Sequence, residues 1–288
     1  MNEIYRIVTD SASDMGEHLT EWGVSSVSLT LKFDGEDTIQ RNDEVEPVSF
    51  YNRMRTGGVA KTSAVNPEEF TKAFEPILAA GEDILYIGFS SGLSTTCNSG
   101  RIAADKLSEK YPERKIIVID SLSASAGFGM LVYLAVQKKN EGANIDENAA
   151  YIESMVPRMC HWFTVDDLVY LKRGGRISPA VAFVGGVLGI KPVLHMDIEG
   201  HLINKFKVRG RRAAIGALAD KLGELMTDKT QGPVFICHGD CADDAALLSS
   251  IIKEKYGLDT DITVYTGPVI GAHSGPGTLA LFFIGNER

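Results

Sequence analysis

Cysteine, positive charge and long apolar runs are all scarce in this sequence, and each shortage excludes a class of protein. Four cysteines in 288 residues do not supply the framework of a disulfide-stabilised secreted domain. The 29 Lys and Arg residues against 38 Asp and Glu residues give a net charge of −9. That balance argues against general nucleic-acid binding, because binding to phosphates depends on clustered cations.

No apolar run is long enough to predict a membrane span. The longest uncharged one, from Pro179 to Ile190, is shorter than a bilayer requires and contains three glycines. The first residues, Met1-Asn2-Glu3, are acidic and lead straight into a strand pattern, so we expect no signal peptide. The sequence therefore predicts a cytoplasmic protein with no integral membrane segment.

Motifs for nucleotides and metals are also missing. The chain has no Walker A motif and no G-x-G-x-x-G after a predicted strand, which leaves nucleotide binding without support. The pentapeptide from Cys237 to Cys241 contains two cysteines and a histidine, yet no second Cys or His pair follows at zinc-finger spacing. We expect buried structural thiols, no metal and no cofactor.

The length and the order of the predicted elements indicate two domains. In the first half, helices alternate with strands at Ile4–Thr9, Val24–Phe33, Asp83–Ile87 and Lys115–Asp120, which is typical of a parallel sheet with right-handed crossovers. After about Cys160 the pattern changes to a hairpin, Ile190–Asp197 with His201–Lys207, and a strand–helix–strand series. The prediction is an α/β protein with an N-terminal parallel Rossmann-like sheet domain (1–157) and a C-terminal mixed, mainly antiparallel α/β sandwich domain (158–288).

The stretch from Ile87 to Thr96 is the most informative part of the chain. Two glycines and five hydroxyl side chains lie between a predicted strand and a predicted helix. Such a turn suits an anion, because glycines allow close backbone approach and the helix start offers N–H groups. The same letters contain G-x-S-x-G, the pattern of a hydrolase nucleophile elbow. A hydrolase using Ser90 or Ser94 with His273, and a simple helix cap, therefore remain alternatives to the anion-binding turn.

Two other segments are predicted to converge on this turn. Thr62, followed by Ser63, is predicted to lie in a loop before the helix that begins near Asn66, at the same sheet edge as Ser94. Two neutral hydroxyls there suit a carboxylate that must be bound reversibly. His273 is predicted to lie in a rigid loop between strands, because four glycines and two prolines surround it.

Basic and apolar segments complete the set of candidates. Cations cluster between Lys205 and Arg212 and between Lys172 and Arg176, which in an acidic protein favours a phosphate-bearing ligand or an acidic partner. The segment from Pro179 to Leu194 fits a core helix and strand. It also fits the wall of a narrow apolar tunnel, where its glycines would leave room for a ligand.

These motifs, taken in order, resemble the DegV family of bacterial fatty-acid-binding proteins, which includes the lipid-binding subunit of fatty acid kinase. The resemblance runs nearly end to end. Its motifs are Val8-Thr9-Asp10-Ser11, Lys61-Thr62-Ser63, Ser90-Ser91-Gly92-Leu93-Ser94, Val118-Ile119-Asp120-Ser121, Leu171 to Ser178, Lys191-Pro192, Val208-Arg209-Gly210-Arg211 and the His273 region. The family pattern often has glycine where this chain has Thr95, and usually an aromatic residue where it has Cys97.

The resemblance implies a function as well as a fold. It implies two α/β domains with one long-chain acyl group between them, its carboxylate bound by Thr62 and Ser94 beside His273. Further candidates near that site are Ser63, Thr95 and Arg209, and candidates for partner docking are Arg173, Arg176 and Arg211. A partner kinase would phosphorylate the bound carboxylate from ATP for phospholipid synthesis, so this chain itself would not be an enzyme. The competing interpretations are the hydrolase described above and a structural or sugar-phosphate-binding module.

Overall fold

Three β-sheets form the framework of the computed structural model over the residues it describes, which are 4–177, 189–226 and 232–288. The strands are β1 (Tyr5–Asp10), β2 (Ser25–Val27), β3 (Thr30–Phe33), β4 (Gln40–Arg41), β5 (Ala60–Ser63), β6 (Asp83–Gly88), β7 (Ile116–Asp120), β8 (Met159–Thr164), β9 (Ile190–Met196), β10 (Leu202–Arg209), β11 (Phe235–His238), β12 (Ile262–Tyr265) and β13 (Leu279–Ile284). The helices are α1 (Glu17–Glu21), α2 (Pro47–Arg55), α3 (Pro67–Ala79), α4 (Thr96–Lys110), α5 (Ala126–Asn140), α6 (Ile145–Met155), α7 (Val169–Arg173), α8 (Arg211–Leu225), α9 (Ala242–Tyr256) and α10 (Pro268–Ser274).

The first sheet confirms the predicted parallel arrangement. Its strand order is β2-β1-β6-β7, and every pairing is parallel. All six residues of the apolar strand β6 are buried, as expected for a central strand with both faces covered by helices. The C-terminal ends of β6 and β7 therefore bring the Phe89–Thr95 loop and the Ser121–Ser125 loop to one edge of the sheet.

A small second sheet was not predicted, and it corrects two expectations. The segment expected to be a single strand, Val24–Phe33, is two strands in different sheets. The interruption falls at Leu29, whose N–H donates to Ser11 Oγ at 3.0 Å instead of to a neighbouring strand. Strand β3 then pairs antiparallel with β4 and β5. Thr62 and Ser63 consequently lie in strand β5, and their predicted position in a loop was wrong.

The six-stranded sheet has the order β10-β9-β8-β13-β11-β12, and only the β11–β12 pairing is parallel. This confirms the mixed, mainly antiparallel prediction. Helices α8 and α9 cover one face, against Trp162 and Phe283. The opposite face, with Phe163 and Phe282, belongs to the core shared with the first sheet and contacts α5. The domain boundary at residue 157 stays a prediction.

His273 also lies in an element that was not expected. It is the sixth residue of the short helix α10, so the prediction of a loop was wrong. Pro268 suits the first turn of this helix, and Gly275, with φ of 84°, ends it.

Within the described residues, no helix is both long enough and apolar enough to cross a bilayer. Most of the predicted tunnel segment, from Pro179 to 188, lies outside the described residues.

Candidate functional site

A largely apolar cavity of about 400 Å³ lies where the sheets meet. One wall is the face of the six-stranded sheet that carries Phe163, Ala280 and Phe282. The opposite wall comes from the Phe89–Thr95 and Ala124–Ser125 loops at the ends of β6 and β7, and α10 and β5 close a third side. This volume falls within the range of small-molecule sites.

Thr62 and His273 form the central polar contact of the cavity. Thr62 Oγ1 lies 2.8 Å from His273 Nε2, although 211 residues separate them in the sequence. Burial, and then the positive charge of Arg176, lower the pKa of His273 to about 4, so the imidazole is neutral near pH 7. A neutral ring protonated on Nε2 donates to Thr62, which leaves the threonine hydroxyl hydrogen for a ligand oxygen.

Ser94 lines the same cavity and also contacts the first residue of helix α4. Its Oγ accepts from the Thr96 backbone N–H at 3.2 Å and lies 2.8 Å from Thr96 Oγ1. The helix-cap interpretation therefore fits this serine, because Thr96 is the first residue of α4, and its role in ligand binding stays a prediction. Because Ser94 is half-buried and its oxygen is tied to the start of α4, it is oriented before any ligand arrives.

Arg176 also lines the cavity, although the sequence analysis offered it as a candidate for partner docking. Its guanidinium donates to the Leu93 carbonyl from Nε at 3.3 Å and from Nη2 at 3.1 Å, and to the Gly174 carbonyl from Nη1 at 2.5 Å. Among the described residues no carboxylate lies within ion-pair distance of it. Burial lowers the pKa of Arg176, as expected for an uncompensated charge. A half-buried cation without an anion suits an anionic ligand.

Two carboxylates hold the Phe89–Thr95 loop in place. Asp10 Oδ2 accepts from the Phe89 N–H and from the Tyr86 hydroxyl, both at 3.0 Å. Asp120 Oδ1 accepts from the N–H groups of Ser91 at 3.2 Å and Leu122 at 3.1 Å. Burial raises the pKa of Asp10 to about 6. The loop that carries Ser94 is therefore anchored by side chains at the ends of β1 and β7.

The structure brings together some predicted site residues and separates others. Thr62, Ser94, Thr95, Arg176 and His273 all line the cavity. The remaining candidates lie outside it. Ser63 and Arg209 are exposed, Arg173 is exposed with its guanidinium 5.5 Å from the centre of the Tyr170 ring, and Arg211 is paired with Asp244 at 2.8 Å.

The geometry does not assemble the serine–histidine pair that a hydrolase requires. Ser90 Oγ donates to the Gly200 carbonyl at 2.9 Å, and Ser94 contacts Thr96. Within the described part of the chain, the hydrogen-bond partner of the His273 ring is Thr62 and not a serine. The G-x-S-x-G letters thus lie on a turn whose first serine bonds to the hairpin between β9 and β10.

Polar groups deeper in the cavity were missed at the sequence level. Ser125 Oγ donates to Asp14 Oδ2 at 2.5 Å and lies 3.2 Å from Cys237 Sγ, and Thr266 Oγ1 lies 3.1 Å from the same sulfur. Burial raises the pKa of Cys237 to about 12, so this thiol is unreactive.

No group of residues suited to a metal ion occurs among the described positions. The alternation of Ala280 and Phe282 along β13, with Thr278 directly before the strand, could have indicated the cavity wall.

A family model described as "Uncharacterised protein, DegV family" matches residues 5–286. The chain belongs to the DegV family. A DegV domain-containing protein from Clostridium perfringens is 41% identical over 284 residues, which is 98% of each chain.

Solved structures of the DegV family have the same fold. A DegV protein from Thermus thermophilus, described by its fatty acid binding, is 29% identical with a TM-score of 0.88 and covers 99% of this chain and 100% of its own. A stearic acid-binding protein from Eubacterium ventriosum is 26% identical with a TM-score of 0.88 over 98% of each chain. Both of these relatives thus bind fatty acids.

Proposed function

We propose that this DegV protein is a non-catalytic carrier of a long-chain fatty acid that acts in the cytoplasm. The observation that carries the proposal is the cavity itself, which is mostly apolar but has Thr62, Ser94, Arg176 and His273 on its lining. Such a cavity matches an amphiphile with a long apolar tail and a small anionic head. The fatty acids bound by the relatives have that chemistry.

The tail supplies most of the binding free energy in this proposal. Each buried methylene contributes roughly 0.8 kcal/mol, so a long chain accounts for affinity without strong polar contacts. The carboxylate accepts hydrogen bonds from Thr62 and Ser94, with the neutral His273 orienting Thr62. Arg176 compensates the carboxylate charge from the same side of the cavity.

Organic extraction of the purified protein followed by mass spectrometry tests the carrier proposal. We expect a fatty acid in nearly equimolar amount with the protein. Ligand-free protein that also fails to take up added oleic or stearic acid would contradict the proposal. Labelling of Ser90 or Ser94 by an active-site serine reagent would instead support a hydrolase.

We also propose that a partner kinase phosphorylates the bound carboxylate from ATP, giving an acyl phosphate for phospholipid synthesis. The exposed cations Lys205, Lys207 and Arg209 on the edge strand β10, with Arg173 on α7, offer an acidic partner a docking surface. Arg211 is less suited to this role, because Asp244 already compensates its charge.

Charge reversal tests this docking surface. Arg173→Glu combined with Lys207→Glu should slow ATP-dependent acyl-phosphate formation in an extract of the source cells at least about tenfold, by replacing attraction with repulsion. The fatty acid bound per protein should not change, because neither side chain lines the cavity. Lys110→Glu, on the exposed end of α4, is the matched control. Equal activity in all three proteins would contradict the proposed surface.

A further inference from the structure

The cavity has an inner end that can be located from the register of the six-stranded sheet. Ala280 and Phe282 on β13, and Thr278 directly before it, line the cavity. The extended chain from Thr278 to Phe282 is about 13 Å long. Thr278 lies next to the end of α10, since its hydroxyl donates to the Gly275 carbonyl at 2.7 Å. Phe282 is directly opposite His161 on β8. His161 and Phe282 therefore lie at the end away from His273.

The His161 ring fills the space between the sheet and helix α5. Its Nδ1 lies 3.1 Å from the Met159 carbonyl on its own strand. Its opposite edge reaches α5, where a Cβ added to Gly127 would lie only 2.2 Å from Nε2 and 2.9 Å from Phe282 Cδ1. The ring is only 3% exposed and meets the Phe282 ring edge-on, with their centres 5.5 Å apart. Together the two rings form an end wall that leaves room only for glycine at position 127.

The chemistry of the ring indicates that its size matters more than its polarity. Burial lowers the pKa of His161 well below its usual value, so the ring is neutral. The Met159 carbonyl can only accept, which places the ring proton on Nδ1 and leaves Nε2 as an acceptor. That buried Nε2 has no hydrogen-bond partner among the residues that the structure describes. His161 thus makes no polar contact across the cavity, and its effect there is steric.

We propose that His161, with Phe282, sets the maximum acyl chain length by closing the inner end of the cavity. This inference rests on the proposed function, because it identifies which fatty acids that same cavity accepts. Phe163 is a suitable comparison, since it lies on the same strand and the same face two residues nearer the other end. Phe163→Ala would therefore widen the side of the cavity and leave the end wall in place.

The experiment uses the full chain incubated with an equimolar mixture of myristic, palmitic, stearic and arachidic acids, followed by repurification and mass spectrometry of the bound acids. His161→Ala should raise the ratio of bound arachidic to palmitic acid at least about tenfold, as expected when several more methylenes find buried space. Phe282→Ala, which opens the same wall from the neighbouring strand, should shift the ratio in the same direction. Phe163→Ala should leave the ratio near that of the native protein.

The outcomes separate this inference from the carrier proposal. Unchanged ratios in His161→Ala and Phe282→Ala, with acid still bound, would overturn the end-wall inference alone. An equal shift in Phe163→Ala would do the same, because any added volume would then suffice. If His161→Ala does not fold, Phe282→Ala still measures the same wall. Native protein that binds none of the four acids would overturn the proposed function instead.

Discussion

At the scale of single residues, the described lining of the cavity combines neutral donors with one cation, Arg176. Thr62 lies in strand β5 and Ser94 lies in the loop after β6. Each hydroxyl is oriented by a contact within the protein, Thr62 by His273 and Ser94 by Thr96, both at 2.8 Å. Among the described residues, the hydrogen-bond partners of Arg176 are backbone carbonyls. Under the proposed function, such a set would bind a carboxylate without enclosing it in a full ion pair, so that the head group would stay available to the proposed partner kinase.

Substitution of the two hydroxyl residues tests their predicted role. Thr62→Ala and Ser94→Ala should each weaken binding of a fluorescent fatty acid by about 1–3 kcal/mol, because each removes one donor to a buried carboxylate. Ser63→Ala is the matched control, since Ser63 is the exposed neighbour of Thr62 on the same strand. If the affinities of all three variants equal that of the native protein, the carboxylate binds elsewhere.

At the scale of elements, short segments position the polar groups. Helix α10 presents His273 to β5, and the end of α7 packs directly against the other side of the imidazole. A Cβ added to Gly174 would lie 2.1 Å from His273 Nδ1, which is far inside contact distance. The carbonyl of the same glycine accepts from Arg176. Gly174 therefore couples the positions of the histidine and the cation.

Gly174→Ala tests this coupling. The added methyl group should displace His273 from Thr62 and reduce fatty-acid affinity about tenfold or more, while the free energy of unfolding falls by about 1–3 kcal/mol from overpacking. Gly216→Ala is the control, because a Cβ there meets open space in helix α8 and should stabilise the protein slightly. Native affinity in Gly174→Ala would show that the imidazole position is not critical.

At the scale of the whole molecule, the cavity depends on contacts between the two halves of the chain. Tyr51 donates to the Thr266 carbonyl at 2.7 Å, and Asn42 Oδ1 accepts from the Val269 N–H at 2.8 Å. Ser125, which donates to Asp14, also lies 3.2 Å from Cys237 Sγ of the second half. Burial raises the pKa of Asp14 to about 7. The contact region between the two halves therefore contains a carboxyl group, Asp14, whose protonated form is favoured by burial.

This carboxyl group makes a pH-dependent contribution to stability. Since its folded-state pKa is above the unfolded value, its contribution is complete below about pH 4 and is lost as the pH rises through about 7. Asp14→Asn removes that titration. The free energy of unfolding of the variant, relative to that of the native protein, should therefore rise by roughly 2–4 kcal/mol between about pH 4 and pH 8. Urea unfolding at several pH values measures the difference.

The control for this prediction is Asp37→Asn, at an exposed position. Its stability difference from the native protein should vary much less with pH than that of Asp14→Asn. A constant difference for Asp14→Asn across the whole range would contradict the proposed protonation of the buried carboxyl group.

The sequence by itself determined the local elements and the chemistry of the loops. Apolar runs such as Asp83–Ile87 and turn residues such as Gly92 act through their neighbours in the chain, so the parallel sheet, the mixed sheet and the hydroxyl-rich turn were predictable. The position of Thr62 in a strand was not predictable, because a hydrogen bond from Leu29 to Ser11 breaks the preceding strand.

Only the tertiary structure decided which candidates share one cavity. Arg176 and Arg173 are three residues apart and equally basic, yet one lines the cavity and the other is exposed. Strand pairing brings His161 next to Phe282, and packing of α10 brings His273 next to Thr62. In each pair the residues are more than 100 positions apart in the sequence. Such contacts depend on which faces of distant elements meet, and no local pattern in the sequence encodes that choice.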